Sequence, residues 1–293
     1  MIDLKGRSAV VTGSARGIGK AIATKLASFG ANVVISDINA DAAKATAAEI
    51  GATGPKAISF AADVSKGDQA DALIESCVKE FGKIDILVNN AGITKDTLLL
   101  RMKQEQWDAV IAVNLTGTYL CAQAAFKHMF KQKNGAIINI SSIAGENGNV
   151  GQTNYAAAKA AIAAMTIVNA MELERYGVTA NCIAPVARTR LTLQTPGMGQ
   201  MMENPIFDPD NISPLVAVLA SADCRFNGQV FSVYGGAVGI YAGWSIAEEV
   251  VADGGAVHGK WNVEQLTAAM AHLPAKVQVN DQMSAVMKSS ASA

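Results

Sequence analysis

The sequence predicts an α/β fold, a single doubly wound parallel sheet of seven strands with helices on both faces. Three observations predict it. Seven short runs are apolar and rich in β-branched residues without polar alternation, as in strands covered on both faces. They alternate with longer stretches of helical period, the signature of successive β-α-β units. The first run passes directly into a glycine-bearing turn that opens a helix.

In chain order the strand-like runs are Ser8–Thr12, Asn32–Asp37, Lys56–Ala61, Ile84–Asn89, Ala136–Ser141, Thr179–Ala184 and Gln229–Val233. Between them Gly17–Gly30, Ala40–Ile50, Gln69–Gly82, Gln106–Lys131 and Thr153–Tyr176 carry helical period. No linker interrupts residues 1–240, so they are expected to form one domain, followed by a C-terminal extension over 241–293. From Ala237 the tail begins with glycines and aromatics and ends in a Ser/Ala-rich stretch expected to be disordered. Leu191–Asp210 is rich in Met, Pro, Gly and Thr and carries little charge, which makes it a candidate substrate lid. Met198, Met201 and Met202 within it could form an adaptable apolar wall.

Composition narrows the partners. Half of the 293 residues are hydrophobic, 17% are charged, and the formal net charge is −1. Neither a nucleic-acid footprint nor a polybasic membrane patch is expected from that balance. Cys77, Cys121, Cys182 and Cys224 lie far apart without a C-x-x-C pair, and His128, His258 and His272 show no ligand spacing. A disulfide framework and a metal site are therefore not expected, and reduced thiols fit a cytoplasmic location. The N-terminus lacks the charged-then-apolar build of a signal peptide. No apolar run reaches the roughly 20 residues of a membrane span.

The turn after the first strand reads Thr12-Gly13-Ser14-Ala15-Arg16-Gly17-Ile18-Gly19. Gly13 permits a tight turn, Gly17 lets the backbone approach a pyrophosphate, and Gly19 lets the helix pack closely on the strand. The helix N-terminus then offers free N–H groups and partial positive charge to an anion. The spacing is G-x3-G-x-G rather than the commoner G-x-G-x-x-G, so its place between strand and helix carries the weight. The second strand ends in Asp37, where a carboxylate can accept hydrogen bonds from adenosine ribose hydroxyls and repel a 2′-phosphate. That favours NAD over NADP, although Arg16 could attract the phosphate. The third strand ends in Ala62-Asp63-Val64 and the fourth in Asn89-Asn90-Ala91-Gly92, both on the side where such a sheet binds its ligand.

Tyr155 and Lys159 lie four residues apart in a helical stretch, hence one turn apart on one face, and Ser142 lies in the loop after the preceding strand. Reduction of a ketone by hydride leaves an alkoxide that must gain a proton. A phenol can supply it, but a free Tyr titrates near pH ~10. A cationic Lys nearby is expected to lower that value, and a Ser hydroxyl can orient the carbonyl. Tyr-x-x-x-Lys alone also describes many solvated helix faces; its order after a glycine loop, an acidic strand end and a Ser-bearing loop sets this instance apart.

The glycine loop Thr12–Gly19, the Asn89–Gly92 run, Asn114, Ser142 and Tyr155-Ala156-Ala157-Ala158-Lys159 together resemble the short-chain dehydrogenase/reductase family over about residues 4–236. The resemblance implies a Rossmann-type sheet of order 3-2-1-4-5-6-7 and a homotetramer with Gln106–Lys131 and Thr153–Tyr176 at one interface. It implies Tyr155 as general acid/base, Lys159 at the nicotinamide ribose, Ser142 orienting substrate and Asn114 holding a relay water. Cofactor contacts are implied for Asp63 and Val64 at the adenine, for Asn90, Ala91 and Gly92 alongside, and for Pro185 with Thr189 at the nicotinamide, or Thr192 in place of Thr189. The run Asn90–Met102 is similar to NADPH-dependent 3-oxoacyl-thioester reductases of fatty-acid synthesis. Ala184–Thr192, Gly151–Tyr155, Asp223–Val233, the tail around Tyr241–Trp244 and Asp37 look instead like the dehydrogenase domain of type 2 multifunctional β-oxidation enzymes, also known as type 4 17β-hydroxysteroid dehydrogenases. The resulting expectation is an NAD-dependent oxidoreductase acting on an apolar alcohol/ketone or acyl thioester. An NADPH-linked 3-oxoacyl reductase is the first alternative and a non-catalytic dinucleotide-binding protein the second.

Overall fold

The structure, a computed structural model, describes residues 2–188, 203–243, 249–253, 260–271 and 273. Among these, eight strands form one sheet in the order β3-β2-β1-β4-β5-β6-β7-β8. The strands are β1 (Ser8–Thr12), β2 (Asn32–Asp37), β3 (Ala57–Ala61), β4 (Ile86–Asn89), β5 (Gly135–Ile140), β6 (Val178–Pro185), β7 (Val230–Tyr234) and β8 (Ala237–Ile240). The first seven pair in parallel, and β8 adds an antiparallel hairpin partner to β7, with Tyr234 opposite Ala237. The seven-strand expectation is corrected to eight. β8 escaped notice because it is an edge strand whose Ala-Val-Gly-Ile run is short, glycine-bearing and mostly exposed.

The helices are α1 (Gly17–Ser28), α2 (Ala40–Gly51), α3 (Gly67–Phe81), α4 (Gln104–Val110), α5 (Gly117–Gln132), α6 (Ile143–Asn147), α7 (Thr153–Leu173), α8 (Ser213–Leu219) and α9 (Val263–Met270). Alternation along the strands divides the core between the two faces. Val10, Val34, Leu87 and Ile137 pack with apolar residues of α3 and α5. Their neighbours Val11, Val33, Ile86 and Ile138 pack with α1, α2 and α8. Period-2 side-chain direction therefore turns a continuous apolar strand into two half-cores.

Local signals place the ends. Asn39 Oδ1 accepts the Ala42 N–H at 3.0 Å and caps α2, while Gly82, at φ +81°, ends α3 in a left-handed turn. The stretch expected as one helix over Gln106–Lys131 is interrupted: Ile111–Thr116 is a π-helical turn between α4 and α5. Such a turn inserts a residue into the helix and is common at functional sites.

Two helical stretches qualify the membrane reading. Gln104–Gln132 and Thr153–Tyr176 are long and apolar enough to cross a bilayer, with windows of mean hydropathy 1.4 and 1.3, of which 44% and 39% lie buried in the fold. An unbroken-run criterion passes over them because Thr, Asn and Gln interleave the apolar residues.

The chain divides into two compact units, Met1–Tyr241 and Ala242–Ala293. The second contains α9, whose first turn is capped by Asn262 accepting from Gln265 N at 2.8 Å. Of the expected lid, residues 191–202 lie outside the described residues. Its other end is pinned: Phe207 is fully buried, and Ile206 O accepts the Gly235 N–H at 3.0 Å.

At the end of the sheet opposite the glycine loop, buried Asp85 ties three strands together. Its carboxylate accepts from Ser8 N at 2.9 Å and Asn134 Nδ2 at 3.2 Å and pairs with Lys83 at 3.2 Å. Asp85→Ala would leave buried donors without partners, at about 1–3 kcal/mol for each. A loss of about 2–4 kcal/mol in urea unfolding is expected; an unchanged midpoint would refute the clamp.

Candidate active site

The sheet order reverses direction between β1 and β4, and the crevice outside their carboxyl ends forms the cleft. Its lining includes Gly13, Arg16–Gly19, Asp37, Asp63, Val64, Asn90–Gly92, Ser142, Tyr155, Lys159 and Pro185. Sequence-predicted residues from seven segments thus meet in one place. Thr189, Thr192, Met198, Met201 and Met202 lie outside the described residues.

The glycine loop is held by close backbone approach. Gly13 has φ +60°, and a Cβ there would sit 2.8 Å from Ala91 Cα. A Cβ at Gly19 would meet Gly13 O at 2.4 Å and Ser14 Cα at 2.8 Å. Asn90 closes the junction from β4, donating from Nδ2 to Thr12 O at 2.8 Å and Gly13 O at 3.0 Å. Thr12 Oγ1 accepts the N–H groups of Asn90 and Ala91, each at 3.0 Å. Ser14 Oγ donates to Val11 O at 2.6 Å and accepts Ser36 N–H at 3.0 Å, and Thr46 of α2 donates to Ala15 O at 2.9 Å. Thr12, Ser14 and Thr46 were not singled out in the sequence, where a hydroxyl at a strand end or inside a helix carries no distinguishing mark.

The cradle fits the pyrophosphate of a dinucleotide. A Cβ at Gly17 would meet nothing within 4 Å, so the loop presents bare backbone outward. Arg16 makes no side-chain cap on α1, and the first turn holds no acidic residue, which leaves the helix N-terminus to an anion. At the far end Asp37 Oδ1 accepts Asn39 N–H at 3.1 Å, and the side chain lines the cleft beside exposed Ile38. Asp63 Oδ1 is engaged by Ser65, through N at 3.0 Å and Oγ at 2.7 Å.

The reacting end is built on β5, α6 and α7. Ser142 is the N-cap of α6, its Oγ accepting Ala144 N–H at 3.2 Å, and its hydroxyl is hydrogen-bonded to Tyr155. Lys159 is buried and donates from Nζ to Ile140 O at 2.6 Å; Nζ lies 5.6 Å from the Tyr155 ring centre. Asn114, in the π-helical turn, braces the loop after β4: Oδ1 accepts Ile93 N–H and Nδ2 donates to Ile93 O, each at 2.8 Å. A Cβ at Gly92 would lie 2.7 Å from Asn114 Oδ1, so glycine is needed there for the brace to close. The side chain of Asn114 is committed to Ile93, which gives it a structural task that the sequence did not suggest.

Electrostatics differ from the sequence expectation. Burial pushes the Tyr155 phenol up to about 12; the hydrogen bond with Ser142 acts downward and Asp96 acts upward. Burial brings Lys159 down to about 8, with neighbouring Cys182 acting the other way. Lysine was expected to lower the tyrosine, but its ammonium is directed at Ile140 O, and desolvation outweighs it. The phenol is therefore protonated at neutral pH, a form that can donate a proton to an oxygen set against it.

Comparison with known proteins gives the family. The short chain dehydrogenase family model matches residues 7–195. The chain is 46% identical over 245 residues to the 3-oxoacyl-(acyl-carrier-protein) reductase of Synechocystis sp., covering 81% of this chain and 99% of that protein. It is 44% identical over 285 residues to hydroxyacyl-CoA dehydrogenase ChsB1 of Mycobacterium tuberculosis, covering 92% and 88%. A solved short chain dehydrogenase from Mycobacterium avium superposes with a TM-score of 0.81 at 38% identity, over 92% of this chain and 94% of that one.

Gly19→Ala would drive a methyl into backbone that cannot yield. A loss of about tenfold or more in dinucleotide affinity is expected from overpacking of a few kcal/mol. Fluorescence titration measures it, and unchanged affinity would remove the glycine junction from the binding site.

Proposed function

Because the chain belongs to the short-chain dehydrogenase family, we propose that it interconverts 3-oxoacyl and 3-hydroxyacyl thioesters at the Tyr155 cleft, reduction of the ketone being the leading reading. The observation that carries this is the Ser142–Tyr155–Lys159 set lining the glycine-loop cleft, Lys159 buried and Ser142 and Tyr155 half-buried, with the phenol held in the proton-donating form. The name of the Synechocystis relative supports the reductase more than the NAD-linked dehydrogenase expected first.

A bound nicotinamide dinucleotide supplies the hydride. Gly13, Arg16, Gly17, Ile18 and Gly19 would hold its pyrophosphate, and Asp37 and Asp63 with Val64 its adenosine. Asn90, Ala91, Gly92 and Pro185 would lie along the nicotinamide half, with Thr189 assigned there on the family resemblance alone. Tyr155 delivers a proton to the substrate oxygen, Ser142 orients that oxygen, and Lys159, which donates one N–H to Ile140 O, would offer its remaining N–H groups to the nicotinamide ribose. Asn114 maintains the wall opposite through Ile93. Tyr155→Phe should lower kcat for acetoacetyl-CoA reduction by about 100- to 10,000-fold with dinucleotide Kd unchanged. Full activity in that variant would sink the assignment.

A second reading is favoured by Asp37 and by the extent of the ChsB1 match, which covers 92% of this chain. It is an NAD-linked 3-hydroxyacyl-CoA or hydroxysteroid dehydrogenase of the type 4 kind. NADH and NADPH titrations on one preparation separate the readings. A carboxylate facing the ribose should favour NADH by about tenfold or more; preference for NADPH would make Arg16 the reader and remove the second reading.

The exposed apolar faces of α5 and α7 support self-association into a homotetramer. Tyr119 and Phe130 project from α5, and Ile167, Val168 and Met171 from α7. Light scattering after size exclusion should report four chains, and Met171→Glu should dissociate them; a monomeric wild type would refute the proposal.

A further inference from the structure

The loop that follows β4 and the turn that precedes α7 are joined beside Tyr155. Gln152, buried and directly ahead of α7, donates from Nε2 to Asp96 Oδ2 at 2.7 Å and accepts through Oε1 from Asn149 Nδ2 at 3.1 Å. Alongside, Thr97 N–H donates to Gly151 O at 2.8 Å. Asn154 Nδ2 donates to Lys95 O at 3.3 Å and Gln106 O at 3.1 Å, while its Oδ1 accepts Tyr155 N–H at 2.8 Å. Tyr155 is the third residue of α7, so its place is set jointly by its own helix and by a loop far earlier in the chain. A lone carboxylate on an exposed loop would swing into solvent. Here the Gln152 amide ties the exposed Asp96 carboxylate to the turn just ahead of Tyr155.

The ionisable groups around Tyr155 can be assigned by element. Lys159 stands one turn along α7 and is directed at Ile140 O. Cys182 of β6 lies beside Lys159, and Glu146 of α6 acts on Cys182 and lies 3.4 Å from Ser141 Oγ. The Lys95 side chain is exposed. Asp96 is the carboxylate that acts on Tyr155 itself.

We propose that Asp96 is a positioning residue for proton transfer: through Gln152 it clasps the loop after β4 to the N-terminus of α7 and so fixes the place from which Tyr155 donates its proton. The clasp also keeps a carboxylate whose charge opposes ionisation of the phenol, because ionising it would add a second negative charge to the same region. The proposal rests on Tyr155 being the proton donor, as argued above.

The test reads Tyr155 directly and does not depend on substrate. Ultraviolet titration of the intact chain minus that of its Tyr155→Phe variant isolates one phenol among the tyrosines. Asp96→Asn keeps an acceptor for Gln152 and removes the charge, so the phenolate fraction at about pH 10 should rise about twofold or more. Asp96→Glu should restore the wild-type curve. Gln152→Ala, which frees the carboxylate, should move the curve part of the way and raise KM for acetoacetyl-CoA while retaining the fold. A wild-type curve in Asp96→Asn, or equal shifts in Asp96→Asn and Asp96→Glu, would overturn the proposal. If the curves move as expected but no thioester is turned over, the clasp stands and the substrate reading falls.

Discussion

The close contact between the glycine loop and the end of β4 is the constraint on which the rest of the site depends. Gly13 and Gly19 have no room for a Cβ because Ala91, Asn90 and Ser14 occupy that space. Asn90 converts the contact into hydrogen bonds, and Thr12 Oγ1 receives two backbone N–H groups at the same point. This junction brings the N-terminus of α1 to the crevice between β1 and β4. A helix end only a few ångströms away would lose most of its use to an anion, because the dipole acts within the first turn.

A second set of polar contacts runs beneath the reacting end. Asn89 Nδ2 donates to Asn139 Oδ1, and Asn139 Nδ2 donates to Thr166 Oγ1, each at 2.9 Å. Thr166 in turn donates to Ile162 O at 2.7 Å. This buried ladder links β4, β5 and α7, so the helix that bears Tyr155 and Lys159 takes its setting from the same strands that form the cofactor cleft. Ser141 adds a bond to Lys159 O at 2.8 Å. Asn89 Oδ1 is left without a partner, but the bonds that are made favour one arrangement because any displacement would strand further buried polar groups. Burial also sets the proton chemistry: the dry environment that orders the site keeps the phenol neutral and weakens the lysine's hold on its proton.

Much of this was legible along the chain. The strand runs from β1 to β7, the helices that alternate with them, the glycine loop and the Tyr155–Lys159 pair follow from periodicity and spacing, which are local properties. The misses share a cause. The π-helical turn at Asn114 leaves helical period intact, β8 is too short and too exposed to carry an apolar signature, and the Asp96–Gln152 clasp joins polar residues that read as ordinary loop positions. The expected lowering of the Tyr155 pKa failed for a related reason, since it assumed the direction of a lysine side chain that only packing could decide.

By itself the sequence determined the fold class, the succession of strands and helices along the chain, the family motifs and the placing of those motifs at the carboxyl ends of the strands, because these follow from residue type at fixed spacing. The tertiary structure alone decided which groups face the phenol, where the ammonium points and which loops brace Tyr155. Those outcomes depend on burial and on contacts between segments distant in the chain, and neither is encoded in the spacing of neighbours.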